Sequence, residues 1–160
     1  MRSLQKTMML SLLMVALVGA SALAYSSYEI DNPQLLQHLG FFAYQQGDVS
    51  LAEKLFRSAT TTDPSYEHAK LDLAIILHER GDYQGAADEL RTLTVLDEGN
   101  VMYWYDLGVN LIAQFKKTGE VDLFLEGVTA YERAAQIDER YAFVQENLVV
   151  LYRVREELGI

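Results

Sequence analysis

Hydrophobic and polar positions between residues 33 and 158 follow the spacing of amphipathic helices. Apolar residues recur three and four positions apart, and no stretch alternates every second residue over a useful length, so the pattern predicts helices and argues against strands. Proline occurs only at positions 33 and 64. Asp31-Asn32-Pro33 is typical of a helix start, because asparagine caps free amides and proline suits the first turn. We therefore predict an all-α body.

The amino terminus has a different pattern. Arg2 and Lys6 precede a stretch that is apolar over residues 8–18, apart from one serine, and rich in small residues over 19–24. A charged, then apolar, then small-residue order is typical of a secretory signal peptide. The final Ala-Leu-Ala fits a cleavage site after Ala24.

The same stretch has a second interpretation, an uncleaved signal anchor. Residues 8–24 number 17, and at about 1.5 Å per residue they can cross a thin hydrocarbon layer. In both interpretations the positive charges keep the amino end in the cytoplasm. We expect residues 1–24 to be a signal peptide or a membrane anchor and residues 25–32 to be a short linker. The body is then extracytoplasmic, either periplasmic or secreted after cleavage at Ala24, or held at the membrane by the anchor.

The predicted helices form a repeat. Gly47-Asp48 and Gly81-Asp82 mark turns that lie 34 residues apart, which is typical of stacked helix pairs. A third copy follows, but its second half arrives seven residues late, so we expect about one extra turn on each helix around residues 116–119. The aligned positions are Leu39-Gly40, Leu73-Ala74 and Leu107-Gly108, then Ala52, Ala86 and Gly127, and then Phe56, Leu90 and Tyr131.

These positions resemble the tetratricopeptide repeat, whose pattern is W-x2-L-G-x2-Y, then A-x3-F, then P. The third copy opens with Trp104-x2-Leu107-Gly108, and the first contains Ala52-x3-Phe56 and ends at Pro64. The resemblance covers roughly residues 33–158 and implies a right-handed superhelix of antiparallel helix pairs. It places three repeats at 33–66, 67–100 and 101–138 and a C-terminal capping helix within 139–160, predicted at 141–158.

Small residues at equivalent positions indicate close helix crossings, with the large residues filling the space between. We expect Gly40, Ala74 and Gly108 on the first helices and Ala52, Ala86 and Gly127 on the second to lie at these crossings. The outer side of the last helix should be polar, and Arg153, Arg155 and Glu156 suit that role.

Charge and composition narrow the function. Because Arg2 and Lys6 are the only charged residues before position 25, the body keeps 11 of the 13 basic groups and all 23 acidic ones, a net charge of −12. Such a body repels phosphate, so nucleic acids and anionic lipid surfaces are poor partners. The sequence has no cysteine, which excludes disulfides, thiol nucleophiles and cysteine-ligated metals.

No catalytic or nucleotide-binding motif occurs in the sequence, and we expect neither enzymatic activity nor a cofactor. His38, Asp72 and Asp106 occupy equivalent places in the three first helices, but packed helices lie about 8–10 Å apart, so a polar row is a better interpretation than a metal site. Several other carboxylates are expected to be outward and merely solubilising, namely Glu53, Asp88, Glu89 and Glu132.

The resemblance implies a concave binding face formed by the first helix of each pair. Well-known family members that grip a peptide's terminal carboxylates use Lys, Arg and Asn there, whereas the matching places here include Gln37, Asp72 and Asp106. That clamp is therefore not expected. The predicted groove residues are Gln37, Phe41, Tyr44, His68, Leu71, Asp72, Ile75, His78, Met102, Tyr105, Asp106, Val109 and Ile112.

This surface suits a peptide or helix of another protein that is apolar with some basic residues. We expect a scaffold or assembly factor. The alternative is a permanent structural subunit of a membrane-associated complex. The groove could also be covered by the chain's own residues 25–30 or by a second copy in a homo-oligomer, because exposed apolar surface of this extent is usually occupied.

Overall fold

The computed structural model describes residues 31–141 and 143–160. The predictions for residues 1–24, and for the linker before residue 31, lie outside this part of the chain. The described residues form seven helices and contain no strand. They are α1 Pro33–Gln45, α2 Val49–Thr62, α3 Glu67–Glu79, α4 Tyr83–Leu96, α5 Val101–Thr118, α6 Val121–Ile137 and α7 Val144–Leu158. Across the described ranges, no helix combines the length and apolarity needed to cross a membrane.

The helix starts follow from local side-chain chemistry. Pro33 opens α1, and the Asn32 side chain accepts a hydrogen bond from the backbone N–H of Leu35 at 2.8 Å. Asp48 and Asp82 cap α2 and α4 in the same way, each accepting from a backbone N–H three residues later at 3.0 Å. The preceding glycines, at positions 47 and 81, have φ of 82° and 75°, a backbone conformation that L side chains rarely adopt. Both predicted turns are confirmed.

The helices pack as three antiparallel pairs, α1 with α2, α3 with α4 and α5 with α6, and each pair rests on the next. Glycine lies where the helices of a pair approach most closely. A Cβ at Gly40 would lie 2.5 Å from the Phe56 ring, and one at Gly108 would lie 2.8 Å from the Tyr131 ring. The three alanines at the equivalent positions, Ala52, Ala74 and Ala86, are all buried. The predicted crossing positions are confirmed.

The third pair is longer than the other two. Helix α5 has 18 residues and α6 has 17, whereas the earlier helices have 13 or 14. Gly119, with φ of 76°, ends α5 in the left-handed conformation. The delayed second half of this copy is therefore explained by extra helix on both sides of the turn, as the sequence predicts.

The closing helix α7 begins at Val144, three residues later than expected. It buries Val144, Leu148 and Leu151 against the third pair. Its outer side is polar at Arg153, Arg155, Glu156 and Glu157, but Val149 and Val150 are also 59% and 57% exposed. The residues predicted to be outward and polar are therefore exposed, but two valines share the exposed side of this helix.

The prediction that Glu89 is merely solubilising is also wrong. Its Oε2 lies 3.1 Å from Nζ of Lys70, whose side chain is buried between α3 and α4. A buried ammonium group needs a charged partner, so Glu89 stabilises the second pair. The other carboxylates that were predicted to be outward also have partners. Glu53 forms ion pairs with Arg57 and Arg80, and Asp88 forms one with Arg91. Glu132 accepts a hydrogen bond from the Tyr152 hydroxyl.

Candidate protein-binding groove

The exposed side chains of α1, α3 and α5 form one surface, called the groove here. These helices lie side by side because each is the first member of a stacked pair, and α1 contacts α3 directly. Phe41 on α1 and Ile75 on α3 are 47% and 45% exposed, which is a high exposure for large apolar side chains. The groove therefore presents two apolar anchors one repeat apart.

Polar side chains link the first helices across the groove. Gln37 donates to Asp72 at 2.5 Å, and the Tyr44 hydroxyl donates to Glu79 at 2.7 Å, so that α1 is tied to α3 twice. A third link joins α3 to α5, where His78 Nδ1 lies 2.9 Å from the side-chain oxygen of Asn110. Because an amide oxygen only accepts, the histidine carries its proton on Nδ1. Of the predicted polar row, only Asp72 takes part in these three links between successive repeats. His38 is exposed on α1, and Asp106 belongs to none of the three links.

Asp72 and Asp106 occupy equivalent positions but have different surroundings. Burial raises the pKa of Asp72, while the hydrogen bond from Gln37 and the charge of His68 act in the opposite direction. Burial raises the pKa of Asp106 to about 6, and only the charge of His78 opposes it. No described residue donates a hydrogen bond to the Asp106 carboxylate or forms an ion pair with it. Asp106 is therefore the less compensated of the two carboxylates.

Two hollows adjoin along α5. The first, between α3 and α5, has a volume of about 410 Å³ and is lined by Leu71, Ile75, His78, Glu79, Tyr105, Asp106 and Val109, among others. The second, between α5 and α7, has a volume of about 570 Å³, and its lining includes Val109, Lys116, Asn147, Val150 and Val154. Because Val109 lines both hollows, they meet on α5 and extend the groove onto the closing helix.

Tyr105 is more enclosed than the sequence indicates. Its ring meets Tyr131 and Tyr141 edge to face, with centroids 5.4 and 5.5 Å apart. Its hydroxyl oxygen lies 3.4 Å from the side-chain nitrogen of Asn147 on α7. Tyr105 therefore holds the closing helix and the third pair together, in addition to lining the hollow beside α3.

The remaining predicted groove residues differ in exposure. Ile112 is buried and packs against Gly127, in the contact between α5 and α6. His68 is exposed at the start of α3, whereas the others are half-buried. This half-buried set contains Gln37, Tyr44, Leu71, Asp72, His78, Met102, Asp106 and Val109.

The sequence prediction missed the contribution of α7 and of Asn110. Asn147, Val150 and Val154 line the second hollow because α7 occupies the place that the first helix of a fourth pair would take. The sequence did contain a signal for this contribution, because a helix that follows three complete pairs takes the place of a first helix. Asn110 lies four residues after Asp106 and donates to its backbone oxygen at 2.9 Å, which a search for charged or aromatic residues does not detect.

Residues 43–107 match the sequence model of the tetratricopeptide repeat family. The first tetratricopeptide repeat domain of Spaghetti (RPAP3), solved with the HSP90 peptide SRMEEVD, is 15% identical with a TM-score of 0.65, covering 77% of this chain and 92% of that chain. MamA from Desulfovibrio magneticus RS-1, solved from residue 41 to its end, is 18% identical with a TM-score of 0.67, covering 83% and 71%. The Sgt2 domain from Aspergillus fumigatus is 19% identical with a TM-score of 0.63, covering 79% and 81%. The chain thus has an all-α fold of the tetratricopeptide-repeat type, a right-handed superhelix of antiparallel helix pairs.

Proposed function

We propose that this protein is a non-catalytic interaction module that binds a segment of another protein in its groove. The observation that carries the proposal is the surface made by α1, α3 and α5, where Phe41 and Ile75 are exposed and Ile75 lines a hollow of about 410 Å³. Apolar anchors beside a pocket are what a peptide or an amphipathic helix needs for docking. The HSP90 peptide bound by the Spaghetti domain is a precedent within this fold.

The groove favours an apolar segment over an acidic one. Asp72, Glu79 and Asp106 face it from α3 and α5, and the sequence SRMEEVD has three acidic residues. Like charges brought together on binding weaken association. We therefore propose a partner segment that differs in charge from that peptide, being apolar with some basic residues.

We further propose that the module works outside the cytoplasm, as a scaffold or assembly factor that is either exported or anchored at the membrane. The charged, apolar and small-residue order of residues 1–24 supports this location. Mass spectrometry of the natural protein should find either a chain that begins at Tyr25 or an intact chain that fractionates with membranes. An intact chain in the soluble cytoplasmic fraction contradicts the proposal.

A permanent structural subunit is the second candidate. The observation that favours it is the apolar side of α7 and the turn before it, where Phe143, Val149 and Val150 are 68%, 59% and 57% exposed. An exposed apolar surface at the end of a helical stack is suited to a lasting contact with another subunit. This candidate predicts that the protein co-migrates with one complex at fixed stoichiometry after gentle purification.

Substitution on opposite faces tests the groove. Ile75→Glu places a charge among the apolar groove side chains, and we expect partner binding to fall at least tenfold. Val95→Glu is the matched control, because Val95 lies on α4 and is 77% exposed. Copurification of the natural partner with each variant, quantified by mass spectrometry, is the measurement. Loss with Val95→Glu and retention with Ile75→Glu places binding on the opposite face and overturns the proposal.

A further inference from the structure

We propose that the hollow between α3 and α5 receives one lysine or arginine side chain of the partner segment, with Asp106 as its counter-ion. This inference rests on the proposed function, since it names the chemistry of the bound segment. The inference predicts that the bound partner segment has a basic residue flanked by apolar residues.

The shape of the hollow suits a long basic side chain. Ile75 and Val109 supply apolar walls, and Asp106 and Glu79 supply carboxylates within the same lining. Lysine and arginine have aliphatic stems that pack on apolar surface while their charged ends reach polar groups. Tyr105 is also in the lining, and tyrosine rings attract cations.

Asp106 lacks the compensation that neighbouring acids have. Asp72 accepts a hydrogen bond from Gln37, and Glu79 accepts one from Tyr44. No described side chain offers Asp106 either contact, and its pKa is raised to about 6 because it is largely buried. A half-buried carboxylate without a partner destabilises the free protein, and an incoming cation removes that penalty.

Among residues 31–141 and 143–160, neither a lysine nor an arginine lines the hollow beside Asp106. His78 and Glu79 face the hollow from α3, and Tyr105 faces it from α5. Tyr131 on α6 and Tyr141 before α7 are close enough for the Asp106 charge to raise their pKa values. His78 is the nearest source of positive charge, but its Nδ1 is engaged by Asn110. No described lysine or arginine supplies the missing counter-charge, and a basic side chain of the partner segment can supply it.

A peptide selection tests this inference and the proposed function separately. The full-length chain, purified in mild detergent, is used to select from a random library of displayed 12-residue peptides. We expect groove-dependent peptides, defined as those lost with Ile75→Glu, to be enriched in Lys or Arg between apolar residues. If no selected peptide depends on Ile75, the proposed function fails, and this inference fails with it.

A double-mutant cycle identifies the contact. Changing the enriched basic residue of a selected peptide to Met should weaken binding to the wild-type chain tenfold or more, and should have little effect on binding to Asp106→Asn. Glu157→Gln is the matched control because it also removes one negative charge, from an exposed site on α7, and it should behave like wild type. An equal loss with wild type and Asp106→Asn shows that the cation lies elsewhere, which overturns the inference while the groove function stands.

A direct titration provides a second readout. The side-chain carboxyl carbon of Asp106, followed by NMR, should titrate with a pKa of about 6 in the free protein. A saturating basic peptide should lower that pKa, because a nearby cation favours the charged carboxylate. The peptide whose basic residue is replaced by Met should leave the pKa of Asp106 unchanged. An unchanged Asp106 pKa with the basic peptide bound contradicts the inference.

Discussion

The second and third helix pairs use the same packing scheme with side chains of different size at the crossing. In the second pair, Ala74 on α3 and Leu90 on α4 occupy the positions that Gly108 and Tyr131 occupy in the third. The larger ring needs the smaller partner, because a Cβ at Gly108 would lie 2.8 Å from Tyr131. The first pair matches the third in this respect, with Gly40 against Phe56. Each crossing is therefore a size-matched combination.

The second and third pairs also differ in what covers them. Among the described residues, the second pair has a helix pair on each side, whereas the third pair is covered on its far side by α7 alone, which leaves Val149 and Val150 exposed. The larger of the two hollows, about 570 Å³, lies at this junction. The junction of the third pair with the closing helix therefore adds the larger hollow to the groove that the first helices form.

The largest effect on stability should come from replacing the residues at the helix crossing of the first pair with those of the second pair. Gly40→Ala puts a methyl group against the Phe56 ring, where the gap is 2.5 Å, and we expect the free energy of unfolding to fall by about 1–3 kcal/mol. Adding Phe56→Leu creates the Ala–Leu combination of the second pair and should recover part of that loss. Thermal unfolding followed by circular dichroism measures both. A double variant no more stable than Gly40→Ala contradicts the size-matching argument.

A buried charge in the second pair gives the next largest effect. Glu89→Gln leaves the Lys70 ammonium group without its carboxylate, although Lys70 is only 7% exposed, so we expect unfolding free energy to fall by about 1–3 kcal/mol. Urea denaturation at neutral pH measures the change. Asp122→Asn, at an exposed position of α6, is the control and should change stability much less. Equal midpoints for the two variants contradict a structural role for Glu89.

Replacing Asp106 should raise the free energy of unfolding, whereas the two preceding changes lower it. Because its pKa rises from the ordinary 3.8 to about 6 in the folded chain, the folded state binds the proton more tightly, and its stability falls as pH rises between these values. Asp106→Asn should therefore stabilise the protein by about 1–2 kcal/mol at pH 7.5, a figure reduced for partial solvent exposure. The gain should disappear below about pH 4, where the carboxyl is protonated in both states.

Thermal melts at pH 4 and 7.5 check the Asp106 prediction. Asp72→Asn is the comparison, because Asp72 has the Gln37 hydrogen bond that Asp106 lacks, and it should stabilise less. A gain for Asp106→Asn that is the same at both pH values contradicts the titration argument.

Much of the fold was predictable because it depends on local signals. The Asn32 cap, the Gly47 and Gly81 turns and the small residues at helix crossings are each visible in the sequence and are each found in the structure. The sequence pattern predicts the start of α7 three residues too early, because no side-chain cap marks it and Phe143 takes a non-helical conformation.

The groove was less predictable because it depends on contacts between distant residues. Periodicity places Tyr105 and Ile112 on the first helix of the third pair, but it does not reveal their contacts. Tyr105 meets Tyr131 and Tyr141, and Ile112 packs on Gly127. The pairing of Glu89 with Lys70, 19 positions apart, is hidden for the same reason. Tertiary packing decides which carboxylates have a hydrogen-bond or ion-pair partner. That no described residue provides one for the Asp106 carboxylate is therefore seen only in the structure.

The smallest effect should come from the exposed side of α7. Val150→Thr exchanges a methyl group for a hydroxyl at a position that is 57% exposed, so the unfolding free energy should change by less than about 0.5 kcal/mol. The same exchange at Val144 buries a hydroxyl where the valine is 0% exposed, and it should cost about 1–3 kcal/mol. Chemical denaturation of the two variants measures the difference. Val150 also lines the hollow shared with α5, so a binding defect in Val150→Thr at unchanged stability places the partner on the closing helix as well. If Val150→Thr destabilises as much as Val144→Thr, Val150 is covered in solution, which means that the end of the stack is already occupied.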